Sequence, residues 1–353
     1  MSKSLNVLVL GVGGHVSQGI LKALSLSKLS THIVGACISP LSPGLYSCDR
    51  AYVSPLASDP KFIDWVIETC KKEKIDAILS GVEPNLAAMS RHAEKIRAAT
   101  GAVCIVSTPG VLTVGDDKLT TCQWLESKGF NFPGYAASSD KAAVERLVKE
   151  RGYPLIAKPR NGRGASGVMK IMSDSQLQYA TTMQDYVFEE CLGTDDSEYT
   201  VGCFCDDNGE LKGTIAMKRD LLYGTTNRAE LGEFPDVRAE AARIVRELRP
   251  MGPTNVQLRI ANGKPTCFEL NIRFSGTTSI RARFGWNDVE LALRHFVLNE
   301  PSYKLPELTD GIALRYWDEM CIDPRAAARL TAEGNLDNPR DYKLAEEGCE
   351  ARS

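Results

Sequence analysis

Two strand-like segments, residues 254–260 and 267–273, flank the link Ala261-Asn262-Gly263-Lys264-Pro265. Its Asn-Gly dipeptide predicts a tight hairpin turn. From Cys267 to Arg273 apolar and polar residues alternate, the period of a strand. That period sets Glu269, Asn271 and Arg273 on one face and Phe268, Leu270 and Ile272 on the other. Pairing the two segments brings Gln257 onto the face of Glu269 and Asn271. A carboxylate, two amide oxygens and a guanidinium sharing one face make a donor set for a hard cation beside a clamp for an anion. Mg²⁺ is commonly held by one or two carboxylates, with water and phosphate completing its shell. A solvated strand face would carry the same residues, so the rest of the chain has to decide.

A chain of 353 residues exceeds one small core and implies two or three packed units. A hydrophobic share of 43% with 25% charged residues is ordinary for a globular enzyme. The net charge of −3 provides no basic footprint for nucleic acid. The apolar run near the N-terminus is too short for a secretory or membrane-spanning segment. The eleven cysteines are scattered without a CxxC pair, the pattern of reduced thiols in a cytoplasmic protein. Cys203 and Cys205 share a strand face with no further metal ligand near them in sequence.

Residues 6–10 read as a buried strand leading into Gly11-Val12-Gly13-Gly14-His15 and a helix over 16–25. This opens a Rossmann-like unit, but not one suited to a dinucleotide. The sixth position of a GxGxxG reading is Val16, and the next strand, 32–37, lacks the acid that binds a ribose hydroxyl. The alternation goes on: a helix from Asp59-Pro60 to Lys74, a strand over 76–79, a helix over 85–100 and a strand over 103–106. Such alternation predicts a doubly wound parallel sheet. Ligands sit beyond the carboxyl ends of its strands, which makes Glu83 a candidate substrate contact or a helix-capping carboxylate. Residues 108–117 read as a linker. Asp117 is expected to cap a helix over 118–128, and Ser139 or Asp140 one over 142–151.

Residues 153–159 form a strand whose interior holds one lysine, Lys158. A lysine within an apolar strand is costly unless it meets a negative partner. The glycine-rich loop 160–167 follows, and the strand resumes at 168–171. Backbone N–H groups of such a loop can approach phosphates closely, yet there is no GK[ST] and no following helix, so it is not a Walker A loop. Residues 186–192 read as a strand running into a hinge, and Glu198 begins another strand. Lys218 and Arg219 are read as closing a strand over 213–217, where they reach phosphates or cap an exposed edge.

Lys118, the Lys158 strand with its loop, Glu189-Glu190-Cys191-Leu192, Glu198-Tyr199-Thr200-Val201, Gln257 and Glu269-Leu270-Asn271-Ile272-Arg273 follow in the order and spacing of the ATP-grasp superfamily. The chain most resembles carbamoyl-phosphate-synthetase large-subunit-like ligases over about residues 6–300. The resemblance implies an α/β fold: a Rossmann-like pre-ATP-grasp domain (1–112), then an ATP-grasp domain of two α+β subdomains. These are a small lid subdomain (113–187) and a large subdomain with the metal site (188–318), followed by a C-terminal helix and tail (319–353). It implies ATP and Mg²⁺ (or Mn²⁺) as cofactors. Lys118 and Lys158 would bind phosphates, with Lys218 weakly assigned beside them. Gly164 and Ala165 would lie in the phosphate-covering loop. Glu189, Glu190 and Leu192 lie in the adenine hinge, and Glu198 would hold the ribose. Gln257, Glu269 and Asn271 would carry the metal, and Arg273 would steady the transferred phosphoryl group. The family's run of three glycines is Gly164-Ala165-Ser166-Gly167 here, a departure in the loop itself.

The chemistry so implied is ADP-forming ligation through an acyl phosphate, joining a small carboxylate to an amine or related nucleophile. Arg281 and Arg283 are candidates for an acceptor carboxylate, with pairing to surface acids as the alternative. A carboxylase or carbamoyl-phosphate-type enzyme would use bicarbonate in the same site. A non-catalytic ATP-binding module would have little use for Gln257, Glu269, Asn271 and Arg273 together. Small molecules are the expected partners, with neither nucleic acid nor membrane, and two-fold symmetry makes a homodimer the default assembly. A last strand is expected over 311–317, and the final 35 or so residues read as a loosely packed helix and tail.

Overall fold

The computed structural model describes residues 4–162, 166–300, 308 and 310–344. The chain divides into two compact units. One holds Met1–Pro109, Arg273–Leu308 and Tyr316–Ser353; the other holds Gly110–Ile272 and Thr309–Arg315. Among the described residues no helix is long and apolar enough to cross a membrane.

The first unit begins with strands and helices that alternate except between β2 and β3: β1 (Leu5–Leu10), α1 (His15–Ser25), β2 (Thr31–Cys37), β3 (Arg50–Val53), α2 (Phe62–Glu73), β4 (Ala77–Ser80), α3 (Glu83–Thr100) and β5 (Val103–Cys104). β1 is fully buried from Val7 to Leu10, as expected where helices cover both faces of a parallel sheet. Its neighbours are β2 and β4, both parallel to it. Leu10 pairs with Ser80, so the turn after β1 and the start of α3 lie at one edge of the sheet, as the alternation implied. Gly11 is required in that turn: its φ is +71°, and a Cβ there would lie 2.4 Å from Val82 Cγ2. Asp59-Pro60 does not open α2. The Asp59 carboxylate accepts the Lys61 amide, and the helix starts at Phe62.

The second unit contains two antiparallel sheets. The smaller has the order β6 (Tyr135–Ala137), β9 (Tyr186–Glu190), β7 (Leu155–Pro159), β8 (Met169–Ile171). The larger has the order β14 (Lys264–Asn271), β13 (Gly252–Ala261), β10 (Glu198–Cys205), β11 (Leu211–Leu222), β12 (Thr225–Leu231), β15 (Ile312–Leu314). Helices α4 (Pro109–Asp116), α5 (Lys118–Ser127), α6 (Lys141–Arg151), α7 (Asp174–Ala180) and α8 (Pro235–Leu248) complete it. Residues read as a linker are thus mostly helix α4. Asp117 caps α5 by accepting from the Leu119 and Thr120 amides, and Asp140 caps α6 through the Ala143 amide. β9 pairs with both β6 and β7, so the small sheet runs past the expected boundary at residue 187 to Glu190. α8 was not read from the sequence, although Val237, Ala241, Ile244, Val245 and Leu248 have helical spacing. They bury one face of the large sheet through Val201, Ala216, Val256 and Leu270.

The chain then returns to the first unit as α9 (Thr278–Arg283), α10 (Asp288–Phe296), α11 (Pro324–Glu333) and β16 (Asn335–Asp337). β16 pairs antiparallel with β3, and Ala326, Leu330 and Leu336 are buried. The expected loose tail is therefore, over its described residues, part of the first unit's sheet. The last expected strand is shorter than read: β15 spans three residues.

Candidate active site

The turn between β13 and β14 is Asn262-Gly263, with φ of +50° and +75°, as the two-residue hairpin signal requires. The turn sets the register from Ala261 opposite Lys264 to Leu258 opposite Cys267; beyond it Gln257 faces Glu269 and Asn255 faces Asn271. One feature departs from the alternation. Leu258 pairs with Cys267 and Gln257 with Glu269, which leaves Phe268 as the extra residue of a β-bulge. The bulge resets the phase. Cys267, Leu270 and Ile272 join the core under α8, whereas Phe268 turns from them toward the cations. Its ring centroid lies 5.1 Å from Lys158 Nζ and 6.0 Å from the Arg259 guanidinium. The expectation that Phe268 shares a face with Leu270 is corrected accordingly.

The ladders fix which residues share the sheet face away from α8. Thr200 pairs with Gln257 and with Met217, and Glu198 pairs with Arg259. By the two-residue period, Arg219 stands on this face, beside Glu198. Lys218 stands on the opposite face, in register with Tyr199. Lys218 is the residue the sequence reading placed with the phosphates, and its neighbour Arg219 is the one on the Gln257 and Glu269 face. Both lie inside β11, which continues to Leu222 rather than ending at 217.

On this side of the unit three cations meet the carboxylates Glu189 and Glu198, and a third carboxylate, Glu269, meets an amide. Lys158 Nζ lies 2.5 Å from Glu189 Oε2. Burial of the ammonium works to lower its pKa, but the Glu189 carboxylate, reinforced by Glu269, holds the lysine above its ordinary value. Glu189 is only 1% exposed; it faces Lys158 from β9, so its place is to hold the lysine. Arg219 and Arg259 both bond Glu198. Arg219 also donates to Gln257 Oε1 at 2.7 Å, and Arg259 to the Leu192 carbonyl at 3.2 Å. Asn271 Nδ2 donates to Glu269 Oε1 at 3.0 Å. With equal numbers of opposed charges, a polyphosphate arriving here requires a further cation.

The donor set suits such a cation chemically. A guanidinium has no acceptor, so it must face the oxygen of the Gln257 amide. A carboxylate has no donor, so it must face the NH₂ of Asn271. Each amide's orientation is thereby fixed, and Gln257 Oε1 keeps a second lone pair. Oxygen ligands with a single carboxylate fit Mg²⁺ sharing its shell with phosphate. Among the described residues no group of three or more His, Cys, Asp or Glu side chains could hold a metal; this set depends on its amides.

The remaining expected residues are distributed as follows. Lys118 opens α5; its amide donates to the Arg160 carbonyl and its Nζ to the Gly162 carbonyl. Arg160 is held by the Asp117 carboxylate, 2.5 Å away, so the first leg of the glycine-rich loop is fastened to the α5 N-terminus. Gly164 and Ala165 lie outside the described residues. The Glu190 amide donates to the Gly134 carbonyl, and the Gly134 amide donates to the Glu190 carboxylate. Leu192 is buried.

In the first unit, Glu83 Oε1 accepts from Arg273 Nε at 2.9 Å and Nη2 at 2.6 Å. Arg281 is completely buried and ion-paired with Asp288 at 2.7 Å. Burial pushes the Asp288 carboxyl up to about 6 against the pull of Arg281. Arg281 therefore anchors α9 to α10 internally and is not presented to a substrate, which corrects the expectation for it. Arg283 is exposed on α9. Of the residues not read from sequence, Arg259 was recoverable, since it follows Gln257 by two positions on one strand. The bulge at Phe268 carries no local sign.

Comparison with known proteins adds the following. Residues 7–105 match the family described as PylC-like, N-terminal domain. Residues 182–320 match the family described as ATP-grasp in the biosynthetic pathway with Ter operon. The carbamoyl phosphate synthase large chain of Methanosarcina barkeri is 24% identical over 302 residues, 77% of this chain and 28% of that one. That of Sulfolobus acidocaldarius is 21% identical over 321 residues, 81% and 29% of the respective chains. This chain thus spans less than a third of these relatives. Among solved structures, N5-carboxyaminoimidazole synthetase from Staphylococcus aureus complexed with ADP superposes with a TM-score of 0.68 at 16% identity, covering 89% of this chain and 81% of that one. The biotin carboxylase domain of Hydrogenobacter thermophilus 2-oxoglutarate carboxylase, in complex with MgADP and bicarbonate, gives 0.67 at 15% identity, covering 91% and 76%.

Proposed function

We propose that this chain, which belongs to the ATP-grasp superfamily, is a Mg²⁺- and ATP-dependent ligase that joins a small carboxylic acid to an amine or related nucleophile. The observation that carries the reading is the register of Gln257 against Glu269 with Asn271 bonded to Glu269. It assembles an oxygen donor set on a face where Lys158, Arg219 and Arg259 are already matched by Glu189, Glu198 and Glu269.

Gln257, Glu269 and Asn271 would hold the metal, which would supply charge neutralisation to the phosphates. Lys158, held by Glu189 and backed by Phe268, would donate to the polyphosphate, and Lys118 would meet it from the α5 N-terminus. The hinge through Leu192 would receive the base. Arg273, two residues along the chain from Asn271 and held by Glu83, is assigned the transferred phosphoryl group. The acid's carboxylate oxygen attacks the γ-phosphorus, ADP leaves, and the amine then displaces phosphate from the acyl phosphate. Charge stabilisation and alignment of bound reactants account for most of the acceleration in such a scheme. The loop after Pro159 would exclude water from the acyl phosphate.

The test is ADP release by the full chain with Mg²⁺ and a panel of small carboxylates, each with and without amines. Release that requires a particular acid and amine together supports the ligase. Release that requires bicarbonate replaces it with the carboxylase reading. Tight ATP binding without turnover on any acid leaves a binding module.

A further inference from the structure

We propose that Glu198 is the keystone of a positioning device that sets both ends of the nucleotide site, an inference that rests on the nucleotide-binding reading above. Glu198 Oε1 accepts from Arg219 Nε at 3.0 Å and Nη2 at 2.7 Å. Its Oε2 accepts from Arg259 Nε at 3.0 Å and Nη2 at 2.8 Å. An ionised carboxylate has about four lone-pair sites, and these four N–H donors fill them. Nothing is left to receive ribose hydroxyls, the role implied by the resemblance. Glu198 is 3% exposed and Arg219 8%, so the cluster is withdrawn from water and its charges depend on one another.

Each arginine carries the effect of Glu198 outward in a different direction. Arg219 Nη2 reaches Gln257 Oε1 at 2.7 Å and so turns that amide's oxygen, rather than its NH₂, toward its neighbours. Arg219 Nη1 is tied to Thr226 Oγ1 at 3.2 Å, which keeps the guanidinium from rotating away. Arg259 Nη1 reaches the Leu192 carbonyl at 3.2 Å and fixes the last peptide of the hinge. Glu198 sits between them on the central strand of the three, in register with Arg259. One carboxylate therefore orients a metal-site ligand through β11 and a base-site peptide through β13. Without it, the buried Arg219 and the partly buried Arg259 guanidinium groups would face each other uncompensated and both would shift.

The experiment measures binding of ADP, 2′-deoxyADP and GDP to the full-length protein by calorimetry, with and without Mg²⁺. Wild type is compared with Arg219→Gln, Arg259→Gln and Glu198→Gln. Arg219→Gln is expected to lose about tenfold of the Mg²⁺ enhancement of ADP binding, the usual scale for a residue that orients a metal ligand, with the ADP-to-GDP ratio kept. Arg259→Gln is expected to lower the ADP-to-GDP ratio by roughly two- to tenfold, the scale of one hydrogen bond, with the Mg²⁺ enhancement kept. Glu198→Gln is expected to lose both. Replacing ADP by 2′-deoxyADP is expected to have the same effect in wild type and in Glu198→Gln. If wild type discriminates against 2′-deoxyADP and Glu198→Gln does not, Glu198 is a ribose ligand and the inference falls. It falls equally if the two arginine variants lose the same property. Should Glu198→Gln fail to fold, the arginine variants alone decide. Wild type that binds no ADP overturns the nucleotide reading itself, an outcome distinct from binding without the expected split.

Discussion

Gln257 faces Glu269 across the β13–β14 ladder, at the bulge that leaves Phe268 unpaired. The bulge puts three successive features on one side: the Phe268 ring, the Glu269 carboxylate and, across the ladder, the Gln257 amide. A regular strand in the register set by the Asn262-Gly263 turn would have paired Gln257 with Phe268 and turned Glu269 to the α8 face, away from Gln257. Strand irregularity and site geometry are the same feature here.

Lys158 and Glu189 provide a pH test. The ammonium is held above its usual value of about 10.4 because the attraction of Glu189, reinforced by Glu269, exceeds the cost of burial. The pair's contribution is therefore complete below that value and is lost only as pH rises through the raised one. In Glu189→Gln, burial remains and the strongest attraction is gone, with only the weaker pull of Glu269 and Cys122 left, so the lysine pKa is expected to fall. ADP affinity measured from about pH 7 to about pH 10 is expected to stay flat in wild type and to weaken with rising pH in the variant. Parallel profiles would show that Glu189 does not control the lysine.

Gly193 follows the hinge at φ +53°, and a Cβ there would lie 2.5 Å from both the Ile260 carbonyl oxygen and Ser197 Oγ. The backbone carbonyl cannot yield without moving β13. Gly193→Ala is expected to cost more than about 1 kcal/mol in denaturant unfolding and to weaken ADP binding through the displaced hinge. Unchanged stability with normal binding would show that the close approach is not required.

The Arg281–Asp288 pair is fully buried. Arg281→Met alone leaves a buried carboxylate without its cation and is expected to destabilise by about 3–5 kcal/mol. The double variant Arg281→Met, Asp288→Leu is expected to recover most of that loss, as buried pairs replaced by apolar groups commonly do. If Arg281→Met instead leaves stability intact, its internal anchoring role is wrong and a role toward substrate reopens.

The features legible in the sequence are those with local causes. Asn262-Gly263 set the hairpin that joins the two strands, although the bulge at Phe268 is what sets Gln257 opposite Glu269. Asp117 and Asp140 marked helix starts because a carboxylate one position before a helix satisfies its first amides. The strand–helix alternation located Gly11 and Glu83 at one sheet edge. The features not legible have non-local causes. Lys218-Arg219 looked like a strand end because charge usually marks exposure, yet pairing with β12 continues through it to Leu222. Arg281 looked available for the same reason, and only Asp288 within the fold explains its burial. β16 returns to β3 across nearly three hundred residues, a pairing that no window of sequence contains.

The central claim is that Gln257, Glu269 and Asn271 hold a divalent cation together with the nucleotide. Mn²⁺ binding followed by electron paramagnetic resonance, with and without ADP, tests it without depending on any substrate. Wild type is expected to bind Mn²⁺ markedly more tightly when ADP is present. Glu269→Gln removes the only carboxylate of the set and is expected to lose at least about tenfold of that affinity, the scale at which even less direct changes to metal sites register. Equal Mn²⁺ affinity in the two proteins would contradict the account at its foundation.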